Sequence, residues 1–224
     1  MRFLCLHGIG TNSHIFKMQT AALRYALDEN DTEYIWAQGT VEWPMAPDLS
    51  GISSSKENHY AYFDPNDPAS YLSAFAMLEN FIELEGPFDG VIGFSQGAGL
   101  AIMYMAKRKI ENPQASPPWR CAILFSPTAI GDPFQWLGTG EMHRLQRLPG
   151  DSVIDIPTTM IWGSRDEYAV DLLSLKVLFQ ARSFWHHIFN GGHELPSQQI
   201  EGSIVNTVKL IRRVTNLAER KLGS

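Results

Sequence analysis

The chain has 224 residues, of which 44% are hydrophobic and 19% charged, and a formal net charge of −6. That length fits one domain with a sizeable core, and the composition argues against extensive disorder. The acidic balance disfavours nucleic acid as a partner, because a phosphate backbone needs a basic face.

Strand and helix patterns alternate along the chain. Arg2-Phe3-Leu4-Cys5-Leu6 is too short for a signal-peptide core and reads as a first strand over Phe3–Leu6, ended by His7-Gly8. Ser13 is the expected N-cap of a helix running to about Glu29. Tyr34-Ile35-Trp36-Ala37 gives a second strand, followed by an irregular excursion from Gly39 to Asp67. Asp67-Pro68 pairs an N-cap with proline at the first helical position. The helix it opens carries the apolar stripe Tyr71, Phe75, Leu78 and Ile82 and stops at Gly86-Pro87.

Val91-Ile92-Gly93-Phe94 is a third strand, and Gln96 to Lys109 follows as a helix. Cys121 to Phe125 is a fourth strand, and residues 127 to 150 form a second glycine- and proline-rich excursion. Thr158 to Trp162 is the fifth strand, with a helix expected from about Val170 to Ala181. Trp185 to Phe189 is the sixth, and a terminal helix begins at about Ser197. The two cysteines, Cys5 and Cys121, fall inside strands and read as small buried hydrophobes rather than a disulfide. No apolar run reaches the ~18 residues of a membrane span. The expectation is one cytoplasmic domain over 1–224, with lid-like segments at about 39–67 and 127–150.

Such alternation implies an α/β fold: a six-stranded, mostly parallel sheet with helices on both faces. Ligands in these sheets bind at the carboxyl ends of the strands. Chemically useful residues do follow strands here. Gly93-Phe94-Ser95-Gln96-Gly97 reads G-x-S-x-G at a strand-to-helix turn, which forces a serine hydroxyl outward. Gly163-Ser164-Arg165-Asp166 follows the fifth strand and Gly191-Gly192-His193 the sixth.

Ser95, Asp166 and His193 thus come in the order nucleophile, acid, histidine. A serine needs a base to take its proton, and the imidazole needs a carboxylate to fix its tautomer. The pattern points to ester, thioester or amide cleavage through an acyl-serine. Glu167 replaces Asp166 only if the loop shifts by one residue. The oxyanion would be met by the backbone N–H groups of Gln96 and Ile9, with Gly10 as the near alternative to Ile9. His7 is read as shaping that loop. His14, His59 and His143 lack metal-ligand spacing, so neither a metal nor another cofactor is expected.

These motifs, with Leu4 to Asn12, Phe16, Gln19, Gly90 to Ala98 and Gly191 to Pro196, resemble the family-of-serine-hydrolases (FSH) branch of the α/β-hydrolase superfamily. The resemblance spans nearly the whole chain. It implies a reduced α/β-hydrolase fold with the triad at Ser95, Asp166 and His193. It also implies an esterase or thioesterase, in its sharpest form one that releases polyketide chains in fungal secondary metabolism. The alternatives are a general carboxylesterase for small acyl esters or a non-catalytic binding module. The partners implied are a small-molecule acyl ester or thioester and an acyl carrier domain of a polyketide synthase. Trp43, Tyr60, Tyr62, Phe63, Phe134 and Trp136 lie in the two excursions, where they either wall an acyl pocket or pack the loops onto the domain.

Overall fold

The computed structural model describes residues 1–27, 31–49, 57–128, 130–132, 135, 139, 141, 143–148, 153–168 and 172–220. The six long strands are β1 (Arg2–Leu6), β2 (Glu33–Ala37), β5 (Gly90–Phe94), β6 (Cys121–Phe125), β9 (Thr158–Gly163) and β10 (Phe184–Phe189). They form one sheet in the order β10-β9-β6-β5-β1-β2. Every neighbouring pair in it is parallel. β5, β6 and β9 are buried along their whole length, which explains their near-continuous apolar runs.

Side chains alternate between the two faces. Leu4, Leu6, Val91, Ala122 and Leu124 pack with Phe75 and Leu78 of α3 (Pro68–Glu85) and with α4 (Gln96–Glu111). On the opposite face Phe3, Cys5, Ile92, Ile123 and Phe125 meet Phe16 of α1 (Ser13–Gln19) and Leu23 of α2 (Ala21–Leu27). Val208, Ile211 and Val214 of α5 (Ser203–Arg220) complete that layer. The molecule is therefore an α/β sandwich whose strand ends all point one way. Among the described residues, no helix is long and apolar enough to cross a membrane.

Both excursions contain a short antiparallel ribbon. β3 (Val41–Glu42) pairs with β4 (Tyr60–Ala61), and β7 (Gly131–Asp132) pairs with β8 (His143–Arg144).

Four features differ from the sequence reading, each for a local reason. Asn12 rather than Ser13 caps α1, its Oδ1 accepting the Ile15 N–H at 2.8 Å. The expected single helix breaks at Thr20, whose hydroxyl donates to the Phe16 carbonyl at 2.9 Å and competes with the backbone ladder. The helix expected over 170–181 is, in its described part, a 3₁₀ segment over Leu172–Leu178. Its buried residues Leu172, Leu175 and Leu178 recur every three positions, the period of a 3₁₀ face. The segment is also held by Ile154, whose N–H donates to Leu178 and whose carbonyl accepts from Gln180. The terminal helix starts at Ser203 because Gly202 turns the chain at φ +69° and the Ser203 hydroxyl ties back to Ser197 at 2.7 Å.

Candidate active site

Ser95 is the single residue between β5 and α4. Its backbone sits at φ 54° and ψ −118°, a conformation that L residues rarely adopt. Three hydrogen bonds hold it there. Its N–H donates to Phe125 at 2.9 Å, and its carbonyl accepts from Gly99 at 3.0 Å and Thr128 at 3.2 Å. The turn is tight enough to press α4 onto the end of β1. A Cβ on Gly97 would lie 2.3 Å from the Leu6 carbonyl oxygen, so only glycine fits there.

Asp166 follows β9 and His193 follows β10. His193 Nε2 lies 2.9 Å from Ser95 Oγ, and His193 Nδ1 lies 2.9 and 3.0 Å from the two Asp166 carboxylate oxygens. The Asp166 side chain is 0% exposed. It can only accept, so Nδ1 carries the proton and Nε2 presents its lone pair to the serine hydroxyl. Burial pushes the Asp166 carboxyl up. Hydrogen bonding to His193 and the Tyr168 N–H outweighs that and holds its pKa below the ordinary value. The rings of Phe94 and Tyr168 flank the imidazole, with centroids 5.1 and 4.9 Å away. Thr128 Oγ1 lies 3.2 Å from Ser95 Oγ.

The loop after β1 is built around His7. Its Nε2 accepts the Gly39 N–H at 2.9 Å, so Nδ1 carries the proton and donates to the Gly8 carbonyl at 2.8 Å. Burial lowers the His7 pKa to about 4, so the ring is neutral. Gln96 spends its side chain on the 39–67 excursion: Oε1 accepts from Tyr62 at 2.8 Å and Nε2 donates to Phe63 at 2.7 Å. Among the described residues, neither the Gln96 nor the Ile9 backbone N–H has an acceptor.

Ser95 and His193 open into a cavity of about 820 Å³, walled by Ile9, Leu49, Phe94 and Tyr168. A serine, a neutral imidazole and an ionised carboxylate in hydrogen-bonded series, beside two unused N–H groups, are equipped for acyl transfer. A family model described as "Serine hydrolase (FSH1)" matches residues 1–203.

The chain belongs to the FSH1 serine hydrolase family.

This serine hydrolase is 35% identical over 225 residues to "Esterase FPY3" of Fusarium mangiferae, covering 97% of this chain and 98% of that protein. It is 31% identical over 210 residues to "Hydrolase phiM" of Talaromyces stipitatus, covering 88% and 81%. Among solved structures it superposes on Arabidopsis thaliana SOBER1 with a TM-score of 0.59 at 15% identity, covering 95% of this chain and 98% of that one. Zea mays acyl-protein thioesterase 2 gives a TM-score of 0.58 at 18% identity, covering 96% and 93%. At such identities these two likenesses establish the shared fold.

The hydrolase brings Ser95, His193 and Asp166 together, but the aromatic residues of the two excursions do not wall the cavity beside them where they are described. Tyr62 and Phe63 are core residues, 2% and 0% exposed. The Tyr62 hydroxyl donates to the Ala37 carbonyl at 2.9 Å, and Phe63 stacks on Tyr71 at 4.1 Å. They anchor the excursion to the core, where a buried aromatic ring removes a large apolar area from water. Trp43 is half-buried, donates its backbone N–H to the His59 carbonyl, and does not line the cavity. Tyr60 lies in β4, paired with Glu42. Phe134 and Trp136 fall outside the described residues. Sequence reasoning misses Thr128 and Tyr168. Their signal was position, since Thr128 lies three residues past the end of β6 and Tyr168 two residues past Asp166.

Proposed function

We propose that Ser95 is the nucleophile, His193 its general base and Asp166 the group that orients the imidazole. The observation that carries this is the continuous series Ser95 Oγ, His193 Nε2, His193 Nδ1, Asp166, with each contact near 2.9 Å. Ser95 Oγ attacks the acyl carbon as its proton passes to His193 Nε2. The Ile9 and Gln96 N–H groups receive the oxyanion, each such donor contributing roughly 3 kcal/mol to the transition state. His193 then gives its proton to the departing alcohol or thiol. Water repeats the sequence on the acyl-serine and returns the free acid.

The substrate in this reading is an ester or thioester of an apolar acyl group. Leu49, Phe94 and Leu195 on the cavity wall support it, as does a volume of about 820 Å³, which suits a large acyl chain. Its finer form is a thioesterase that releases a polyketide-type chain from an acyl carrier domain, and this rests on the family resemblance. The "Esterase FPY3" relative at 35% identity favours a second reading, a carboxylesterase for small acyl esters. One acyl series prepared both as aryl esters and as thioesters of a short thiol distinguishes them by kcat/KM. The thioesterase form requires efficient thioester turnover that rises with acyl size. Negligible turnover of every thioester leaves the carboxylesterase.

A further inference from the structure

Thr128 reaches Ser95 from a different element, three residues past the end of β6. Its backbone N–H donates to the Ser95 carbonyl at 3.2 Å, and its Oγ1 lies 3.2 Å from Ser95 Oγ. The chain is brought there by Ser126, whose φ of 43° turns it sharply out of the strand. Gly99 of α4 closes the other side, since a Cβ there would collide with the Thr128 carbonyl oxygen. Thr128 is thus clamped between the backbone of Ser95 and α4. It also lines the cavity of about 820 Å³ into which Ser95 opens.

The proton inventory gives the Thr128–Ser95 contact a direction. Asp166 can only accept, so His193 Nδ1 donates to it and His193 Nε2 can only accept. The single Ser95 hydroxyl proton therefore goes to Nε2, 2.9 Å away. Ser95 has no second proton to give, so Thr128 Oγ1 is the donor and a Ser95 Oγ lone pair the acceptor.

At 3.2 Å this bond is longer than the ~2.8 Å usual between hydroxyls, so it contributes little at rest. It strengthens when Oγ carries charge, because a hydrogen bond to an ionised oxygen is roughly twice as strong as a neutral one. That happens twice in the cycle. In acylation the Oγ–H proton passes to His193 Nε2, an Oγ electron pair bonds the acyl carbon, and the carbonyl pair moves to its oxygen. In deacylation the carbonyl re-forms, the C–Oγ bond breaks with its pair going to Oγ, and His193 returns the proton. Interactions that strengthen in the transition state are the ones that raise the rate.

We propose that Thr128 is a further catalytic residue, whose hydroxyl donates to Ser95 Oγ and stabilises the charge on that oxygen as the C–Oγ bond forms and breaks. Thr128 keeps its own proton throughout. The role rests on the reading above of Ser95 as the nucleophile.

Two substitutions separate the hydroxyl from the shape of the side chain. Thr128→Val keeps the branch and removes the hydroxyl, whereas Thr128→Ser keeps the hydroxyl and removes the methyl. The probe is a fluorophosphonate: Oγ attacks phosphorus and fluoride leaves, which isolates the attack step. The rate constant is read from the labelling time course by intact mass. The end point counts the folded molecules, so a partly folded preparation leaves the rate constant unaltered. Thr128→Val is expected to label roughly tenfold more slowly than wild type, the size of one charge-assisted hydrogen bond. Thr128→Ser is expected to stay within about threefold of wild type, because the donor is retained. On an activated aryl ester, whose turnover contains the same attack, kcat/KM should fall in parallel. An equal or faster rate in Thr128→Val by either measure overturns the role. So does a Thr128→Ser rate as slow as that of Thr128→Val, since the methyl group would then be what matters. Absence of labelling in wild type counts instead against Ser95 as the nucleophile and removes the role with it.

Discussion

His7 holds the carbonyl of Gly8 at 2.8 Å through Nδ1, and Thr11 Oγ1 donates to the same oxygen at 2.7 Å. The Gly8 carbonyl and the Ile9 N–H belong to one planar trans peptide and point in opposite directions. Two donors on the carbonyl therefore fix the direction of the N–H proposed to meet the oxyanion. His7→Gln, which cannot span from Gly8 to Gly39 as the ring does, is expected to lower kcat roughly tenfold while KM changes little. Steady-state kinetics on one ester checks this.

The same histidine gives a pH signature. Its native pKa of about 4 lies below the ordinary value of 6.5, so the unfolded chain takes up the proton first as pH falls. The stability it contributes is complete above 6.5 and is lost progressively as pH falls toward 4. Denaturant midpoints measured across that window should drop steeply for wild type and less steeply for His7→Gln.

Asp166→Asn leaves the shape of the site but lets its amide NH2 donate to His193 Nδ1, which moves the imidazole proton to Nε2 and removes the lone pair the serine hydroxyl needs. The expected loss in kcat is roughly 10³–10⁴-fold. Because the Asp166 pKa is held below its ordinary value, the carboxylate stabilises the native state above the usual carboxylate range. That contribution disappears only as pH falls through the depressed value. Acid unfolding of the asparagine variant should accordingly depend less on pH at the acidic end than that of wild type.

Ser95 tests the cost of the turn. Ser95→Ala should abolish turnover and keep the fold within about 1 kcal/mol of wild type. Ser95→Gly should be equally inactive yet more stable than Ser95→Ala by roughly 1 kcal/mol, because glycine relaxes at φ 54°. Equal melting temperatures for the two variants would count against strain at this residue.

Gly97→Ala would place a methyl 2.3 Å from the Leu6 carbonyl oxygen and 2.6 Å from that of His7. Both neighbours are backbone at the end of β1, which cannot swing aside as a side chain would. A loss of at least about 2 kcal/mol is expected, with activity falling as α4 is pushed from the oxyanion loop. Urea unfolding and kinetics on the same preparation check both effects.

The strand ends were legible because each carries a motif with its own physical reason. Ser95 lies between two glycines forced by close backbone approach, and Asp166 and His193 each follow a strand and the glycine turn that ends it. The cavity wall was not. An aromatic residue in an excursion serves packing or binding equally well, and only tertiary contacts assign Tyr62 and Phe63 to the core. The 3₁₀ segment over Leu172–Leu178 was readable from its three-residue spacing, but that spacing also fits one turn of an α-helix. The pairing of β8 with β7 was not legible either, because two-residue strands do not announce themselves in sequence.

The proposed chemistry turns on Ser95 being a base-activated nucleophile. Labelling of folded protein with a fluorophosphonate, followed by mass mapping of the adduct, measures that directly. The prediction is a single adduct on Ser95, absent from Ser95→Ala and slowed by orders of magnitude in His193→Ala. An unlabelled Ser95 in protein that is folded, beside a control hydrolase that reacts, would contradict it.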